Sequence, residues 1–479
     1  MILGNDVIPY SEAIASGSPE RLLSPHHPGY HLAAYALLQA TGGAGSNDAL
    51  GMLRWISSLG GALSVVVLFR LVLPLGGLRS AAALALVFAF SAGPWLYSAV
   101  GESYMPGTAA VALCLADGVA VRLGWRRANA WRSGALLLLA LLVRQDSVLI
   151  APCLALALPW RSFLATVGGA GLASLLIYAL LWQLSGSEAG LSVWLRGLAE
   201  TGLWGEGFSA YRFAVTFALT QHAINYGLAW GGLWAALSLA TTALLLVGTC
   251  LHRGPRVPVP GSRAGAALFL ASIVLVRIVF FTWWQPSNME YHTPTLWPLL
   301  ALAALASPAA GSPGARRAAW SLCVAMLLAL GVNGARLMLP NRTFDMDRTA
   351  EQALELAGAK GLVLSIDRLQ HYAQMRARAR LAIAPGGPLA VCLDASDGAG
   401  QAGVHELETL VSEAHSTLAR GHQVVVVRDR FLFPRLGLPQ LKGAPELMRP
   451  LSELGTFRII EDESGHAYMT VLQAPGDSE

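Results

Sequence analysis

Apolar runs long enough to cross a bilayer dominate the chain. They lie at 49–76, 81–100, 105–124, 162–184, 230–252, 264–284, 293–310 and 318–338. About 20 predominantly apolar residues cross the hydrocarbon core as a helix, so each run predicts one span. A further stretch, SGALLLLALLVRQDSVLIAPCLALALPW at 133–160, is too long for one helix, and Arg144, Gln145 and Asp146 interrupt it. It predicts two short helices in a hairpin, with the charged tip at one membrane face or in a cavity. The sum is about ten membrane segments. Only 13% of the residues are charged, against roughly 25% in soluble domains, so most of the chain is dissolved in lipid. A net charge of +4 over 479 residues gives no reason to expect nucleic acid as a partner.

Arginine placement orients the spans, because cytoplasmic loops collect Lys and Arg. The basic loops are GLRS at 77–80, GWRRANAWR at 124–132, the step at Arg161, HRGPRVPVPGSR at 252–263 and GARR at 314–317. With these in the cytoplasm, residues 1–48, the loop at Glu102, the Arg144–Asp146 tip, the segment 185–229, the loop at Glu290 and everything after about 339 fall outside. The stretch GYHLAAYALLQATGG at 29–43 is too short to cross and predicts a helix on the outer membrane surface. The aromatic-rich segment 185–229 predicts one or two interfacial helices.

Beyond Pro340 the pattern changes to short runs of strand length. GLVLSID, RLAIAP, PLAVCLD, QVVVVRD, FRIIEDE and AYMTVLQ alternate with helical stretches near 348–358 and 404–420. This alternation predicts a soluble α/β domain at 340–479 with a largely parallel sheet. No glycine-rich nucleotide fingerprint follows any of these strands. Of five cysteines, only Cys392 falls in this part, so no disulfide can form within it. No CxxC or histidine-rich metal spacing occurs in the chain.

The polar residues of interest gather on the predicted outer face. Arg277 lies inside an apolar helix, where a charge costs at least a few kcal/mol and by default faces a cavity or an anion. The alternative is snorkelling to the interface. Arg144 sits beside the helix break of the hairpin, either lining a pocket or paired with Asp146 to cap a turn. Asp6 and Glu102 each abut an apolar segment, where partial desolvation raises a carboxyl toward general-base strength. Glu12 and Glu20 are ordinary loop acids. His26 and His27 precede Pro28, and either bond carbonyls in a turn or join the site. Glu290, Tyr291 and His292 form one late outer loop. Together these describe a cavity open to the outside, rimmed by carboxylates and arginines. It suits acid–base chemistry between a polar acceptor and a phosphate-bearing lipid, whose phosphate two arginines would hold bidentately.

The order of these motifs resembles the GT-C membrane glycosyltransferases that use polyprenyl-phosphate sugars: protein mannosyltransferases, aminoarabinose transferases and RgtA-like enzymes. The matching residues are the acidic loop with Asp6, HHPGYH at 26–31, LRWISSLGG at 53–61, SAGPWLYSAVGESYMPG at 91–107, the hairpin at 133–160, and MEYHTPTLWPLLALAAL at 289–305. The likeness covers roughly residues 4–340.

The resemblance implies a GT-C-like membrane domain at 49–339, preceded by an outer acidic loop at 1–48. It implies an inverting glycosyltransferase, multi-pass in the cytoplasmic membrane, whose active site and C-terminal domain are extracytoplasmic. The donor is a sugar on a polyprenyl phosphate, and the acceptor is a glycan, lipid or protein hydroxyl. On this reading Asp6 deprotonates the acceptor and Glu102 positions acceptor or donor. Arg144 and Arg277 neutralise the departing phosphate, and Tyr291 and His292 add phosphate or sugar contacts. His26, His27 and Glu290 are further candidates. No cofactor or metal is expected, because the leaving group carries its charge on oxygen. In such enzymes the acidic loop follows a first membrane helix, so one more apolar helix is expected upstream of Met1. Two other readings are a transporter or flippase of lipid-linked or anionic substrates, and a non-catalytic scaffold with a partner-binding C-terminal domain.

Overall fold

The computed structural model describes residues 7–43, 45–187, 190–196, 208–224, 261–284 and 289–306, single positions between 317 and 333, and beyond 351 the strands given below, parts of 352–361 and 411–423, and position 454. The chain divides into two compact units, one spanning Pro9–Leu339 and one made of Met1–Ile8 and Pro340–Glu479.

Among the described residues, four helices of the first unit are long and apolar enough to cross a membrane: Asp48–Phe90, Tyr104–Arg122, Trp160–Ser185 and Arg263–Trp284. The first belongs to a Ser46–Phe90 helix interrupted at Gly77, whose φ of 76° and ψ of 176° are not helical. A side chain there would suffer the crowding that keeps L-residues out of positive φ. The interruption falls in the 77–80 loop expected from sequence. Both flanking parts feed one core, through Leu68, Leu71, Val72 and Leu75 before the break and Ala81, Leu84, Val87 and Phe88 after it.

The run read as one span at 81–100 is broken. Its helix ends at Phe90, Ser91 is extended, and a new helix runs Ala92–Ala99. Pro94 explains the break. A proline inside a continuous helix has no N–H for the carbonyl four residues back and collides with it, and here that carbonyl belongs to Phe90. The 133–160 hairpin also differs from two α-helices. Its first arm is the α-helix Ala130–Val143, but its second is two 3₁₀ pieces, Gln145–Ile150 and Pro152–Leu156. Pro152 forbids α-continuation, and Ala151 N–H instead bonds the Val148 carbonyl, at 3.0 Å.

The Tyr104–Arg122 helix lies at the centre and is buried along most of its length by small residues, including Gly107, Ala109, Ala112 and Gly118. A Cβ on Gly118 would come within 2.7 Å of the Phe269 ring. Without a hydrophobic drive between helices in lipid, such close approach is what holds them together. Trp297, fully buried in the Leu296–Ala306 helix, donates its indole N–H to the Ser64 carbonyl at 3.1 Å. Leucines at 172, 175, 176, 180 and 184 are exposed along Trp160–Ser185, as a lipid-facing helix requires.

The N-terminal stretch forms helices Val7–Ser16, Pro19–Leu22 and Pro28–Thr41. The last has 14 residues, about 21 Å of rise, against roughly 30 Å of hydrocarbon. Tyr30, His31, Ala34 and Leu38 form its buried stripe. Of the 185–229 segment, helices Leu191–Arg196 and Ala210–Ile224 are described. The expected span at 230–252 and strand at 380–385 lie outside the described residues, as does most of 318–338.

The second unit holds a five-stranded sheet of order β2-β1-β3-β5-β4, with β1 Leu362–Ser365, β2 Leu389–Cys392, β3 Val424–Val427, β4 Thr456–Glu461 and β5 Ala467–Gln473. β1 pairs parallel with β2 and β3, but β5 pairs antiparallel with β3 and β4. The sheet is therefore mixed and not largely parallel. The connection from β4 to β5 is residues 462–466, too short for the crossover that parallel neighbours need.

Candidate functional site

The hairpin tip is where the polar residues converge. The Ala130–Val143 helix stops at Arg144, which is extended at φ −149° and ψ 122°. The tight 3₁₀ turn starts directly after it, with Ser147 N–H bonding the Arg144 carbonyl at 3.1 Å. This geometry turns side chains 144 and 146 together, and Arg144 Nε donates to Asp146 Oδ1 at 2.9 Å. Arg277, 1% exposed on the Arg263–Trp284 helix, reaches the same carboxylate. Its Nη1 and Nη2 donate to Asp146 Oδ2 at 3.4 and 3.3 Å. Nη2 also donates to the Tyr291 carbonyl at 2.9 Å, and Nε to Thr295 Oγ1 at 3.2 Å. Arg277 therefore does not snorkel. It is held inside by four acceptor contacts.

Aromatic faces complete the cradle. The Arg144 guanidinium lies 4.1 Å from the Tyr104 ring centre and 5.9 Å from that of Tyr291, and Arg277 lies 5.0 Å from Phe281. Desolvated cation–π contacts of this kind contribute about 2 kcal/mol. Tyr291 in turn stacks on Phe281 at 4.9 Å. Arg144 Nη1 donates to Ser103 Oγ at 3.3 Å, and its aliphatic stem fills the space where a Cβ on Gly107 would sit. Tyr97 hydroxyl donates to Glu290 Oε2 at 3.1 Å and its ring lies 5.1 Å from Tyr104.

Of the residues singled out by sequence, Arg144 and Arg277 meet at one carboxylate. Tyr291 and Glu290 stand beside them, although Tyr291 binds Arg277 through its backbone. Glu102 is 3% exposed, and its backbone carbonyl accepts from Ser57 Oγ at 2.7 Å. Ser57 Oγ also pairs with the Tyr30 hydroxyl at 3.2 Å. His292 is buried and pairs through Nδ1 with Thr220 Oγ1 at 3.3 Å. Asp6 lies outside the described residues. Tyr104 and Ser103 are the additions, and Asp146, which the sequence offered as a turn-capping partner of Arg144, takes Arg277 as well. The sequence signal for Asp146 was its place two residues from Arg144; nothing in the sequence joined it to Arg277.

The His26–Pro28 step is tied to the same tip. Gln145 Nε2 donates to the Pro25 carbonyl at 2.8 Å and to the Tyr178 hydroxyl at 3.2 Å. Gly29 faces the Leu142 carbonyl so closely that an added Cβ would lie 3.0 Å from it. His27 caps the Pro28–Thr41 helix in the left-handed region, at φ 50°. Burial pushes its imidazole well below the usual histidine range; Arg144, His26 and His31 push it further, against a hydrogen bond with Gln145. Burial likewise takes His31 down to about 4, helped by His26.

Folded His31 thus resists a proton that the unfolded chain accepts near 6.5. Its stabilisation is complete above pH 6.5 and is lost as pH falls toward 4, by up to about 1.4 kcal/mol per pH unit. Thermal unfolding in detergent between pH 7.5 and 4 is expected to show this decline, and His31→Met to make it shallower while leaving the share due to His27. An equal slope in that variant would disprove the assignment.

Helices long and apolar enough to cross a membrane, with two buried arginines meeting at the hairpin tip, mark a polytopic membrane protein. Two solved structures share the fold across nearly the whole chain. One is ArnT from Cupriavidus metallidurans bound to undecaprenyl phosphate, with a TM-score of 0.55 and 13% identity over 98% of this chain and 94% of that one. The other is the same protein in the apo state, with a TM-score of 0.56 and 12% identity over 98% and 93%. ArnT is an aminoarabinose transferase of the GT-C fold. No family model matches the sequence, and no curated protein does.

Proposed function

We propose that this protein is an inverting glycosyltransferase of the cytoplasmic membrane, with about ten membrane segments and its site on the outer face. Residues 340–479 would form an extracytoplasmic α/β domain. The donor is a sugar carried on a polyprenyl phosphate and the acceptor is a hydroxyl of a glycan, lipid or protein. The observation that carries the reading is the pair of buried guanidiniums meeting at Asp146. It occurs in a fold shared with an ArnT that was solved with undecaprenyl phosphate bound.

In the reaction, the acceptor oxygen attacks the anomeric carbon from the face opposite the phosphate. The bond between that carbon and the phosphate oxygen breaks, and its electron pair stays on the phosphate. The acceptor proton passes to Asp6. Glu102 positions the reacting hydroxyls. Arg144 and Arg277 stabilise the charge that develops on the leaving phosphate, and because they are already fixed in place they need little reorganisation. Tyr291 and His292 add phosphate or sugar contacts.

The test is the glycan and lipid profile of a strain lacking the gene. Mass spectrometry is expected to find one sugar missing from an envelope glycan or lipid, restored by the wild-type chain. An unchanged sugar inventory would refute the enzyme reading.

A further inference from the structure

Asp146 places a carboxylate where an anionic substrate would be expected to bind. One oxygen takes Arg144 Nε at 2.9 Å, and the other takes both terminal nitrogens of Arg277 at 3.3 and 3.4 Å. Two guanidiniums converging on one planar or tetrahedral oxyanion is the arrangement that binds phosphate. In this chain it is already filled from within.

We infer that Asp146 is a built-in counter-anion that sets the charge the site accepts, favouring a phosphodiester donor over the phosphomonoester left after transfer. The inference rests on the glycosyltransferase reading. Two arginines and one aspartate give the hydrogen-bonded cluster itself a formal charge of +1, with the Glu290 carboxylate held outside it by Tyr97. A sugar polyprenyl phosphate is a diester and carries a single negative charge, which this cluster balances. The leaving polyprenyl phosphate is a monoester with a second ionisation near pH 6, so it becomes a dianion as it departs. Holding that dianion with the full strength of both arginines would require Asp146 to give up its share of them. A carboxylate fixed two residues from Arg144 competes at very high local concentration, so it returns to the arginines as the product leaves. Ser103, Tyr104 and Gly107 keep Arg144 in place while the anions exchange. Asp146 is therefore a positioning and specificity-determining residue, acting through the arginines.

The experiment measures binding of farnesyl phosphate and of its methyl diester to the purified full-length chain at pH 8. Asp146→Asn is expected to tighten the monoester at least tenfold and the diester by about threefold or less, and to make the monoester a stronger product inhibitor. Asp146→Glu keeps the charge and is expected to retain the wild-type preference. Should Asp146→Asn fail to fold, loss of the wild-type preference in Asp146→Glu overturns the idea. In a folded Asp146→Asn, unchanged or weaker monoester binding does the same. If the wild type binds neither ester, the phosphate-binding reading of the arginines fails as well. If it binds both and the variant is not tightened, only the role of Asp146 falls.

Discussion

Replacing Arg277 with methionine is expected to destabilise the protein by about 3 kcal/mol, the lower end of the cost of breaking a buried ion pair. The side chain is fully enclosed and serves three partners: Asp146, the Tyr291 carbonyl and Thr295. Methionine fills much of the volume but leaves a buried carbonyl without its donor and Asp146 with one cation in place of two. The loss stays near the lower end because Arg144 remains bonded to that carboxylate. On the proposed reaction, turnover is expected to fall a further 10²–10³-fold, as when one preorganised charge partner is removed. Lysine is expected to rescue little, since a single ammonium cannot reach all three acceptors in their present geometry. The measurements are a melting temperature in detergent and a sugar-transfer assay on membranes. A double-mutant cycle with Asp146→Asn should show coupling between the sites. An unshifted melting temperature would mean that the cluster is not structural.

The second large effect concerns Asp6. On the proposed reaction, Asp6→Asn is expected to lower turnover by about 10²–10⁴-fold, the usual contribution of a general base. Binding of polyprenyl phosphate should stay within a fewfold of wild type. This split separates the aspartate from the arginines, whose loss should weaken phosphate binding itself. Isotope-labelled transfer and ligand binding, read on the same preparation, check both halves. Near-normal turnover in Asp6→Asn would remove the aspartate from the chemistry.

Several parts of this architecture were legible because they follow from local rules. The break at Gly77 was signalled by a basic, glycine-containing loop between two apolar runs, and the hairpin at 133–160 by its length and its charged centre. The proline effects at 94 and 152 were equally local, since a missing N–H and a clash act within one turn. Both prolines sit in runs whose apolar composition predicts continuous membrane helices. The direction of β5 was fixed by the short 462–466 connection, a constraint stronger than the alternation of strands and helices suggested.

The sequence by itself determined that this chain lives in a membrane and that Arg144 and Arg277 must have partners. Both follow from the free energy of moving surface and charge from water to lipid, which depends on residue type and little on context. Tertiary structure alone decided which partners those are. Asp146 and Arg277 are 131 positions apart, and no local rule connects residues at that distance. The meeting depends on how the hairpin seats against the Arg263–Trp284 helix, and on the glycines and small residues that allow helices to approach so closely. The price of a buried charge can be read from one residue, but its neutralisation requires the fold.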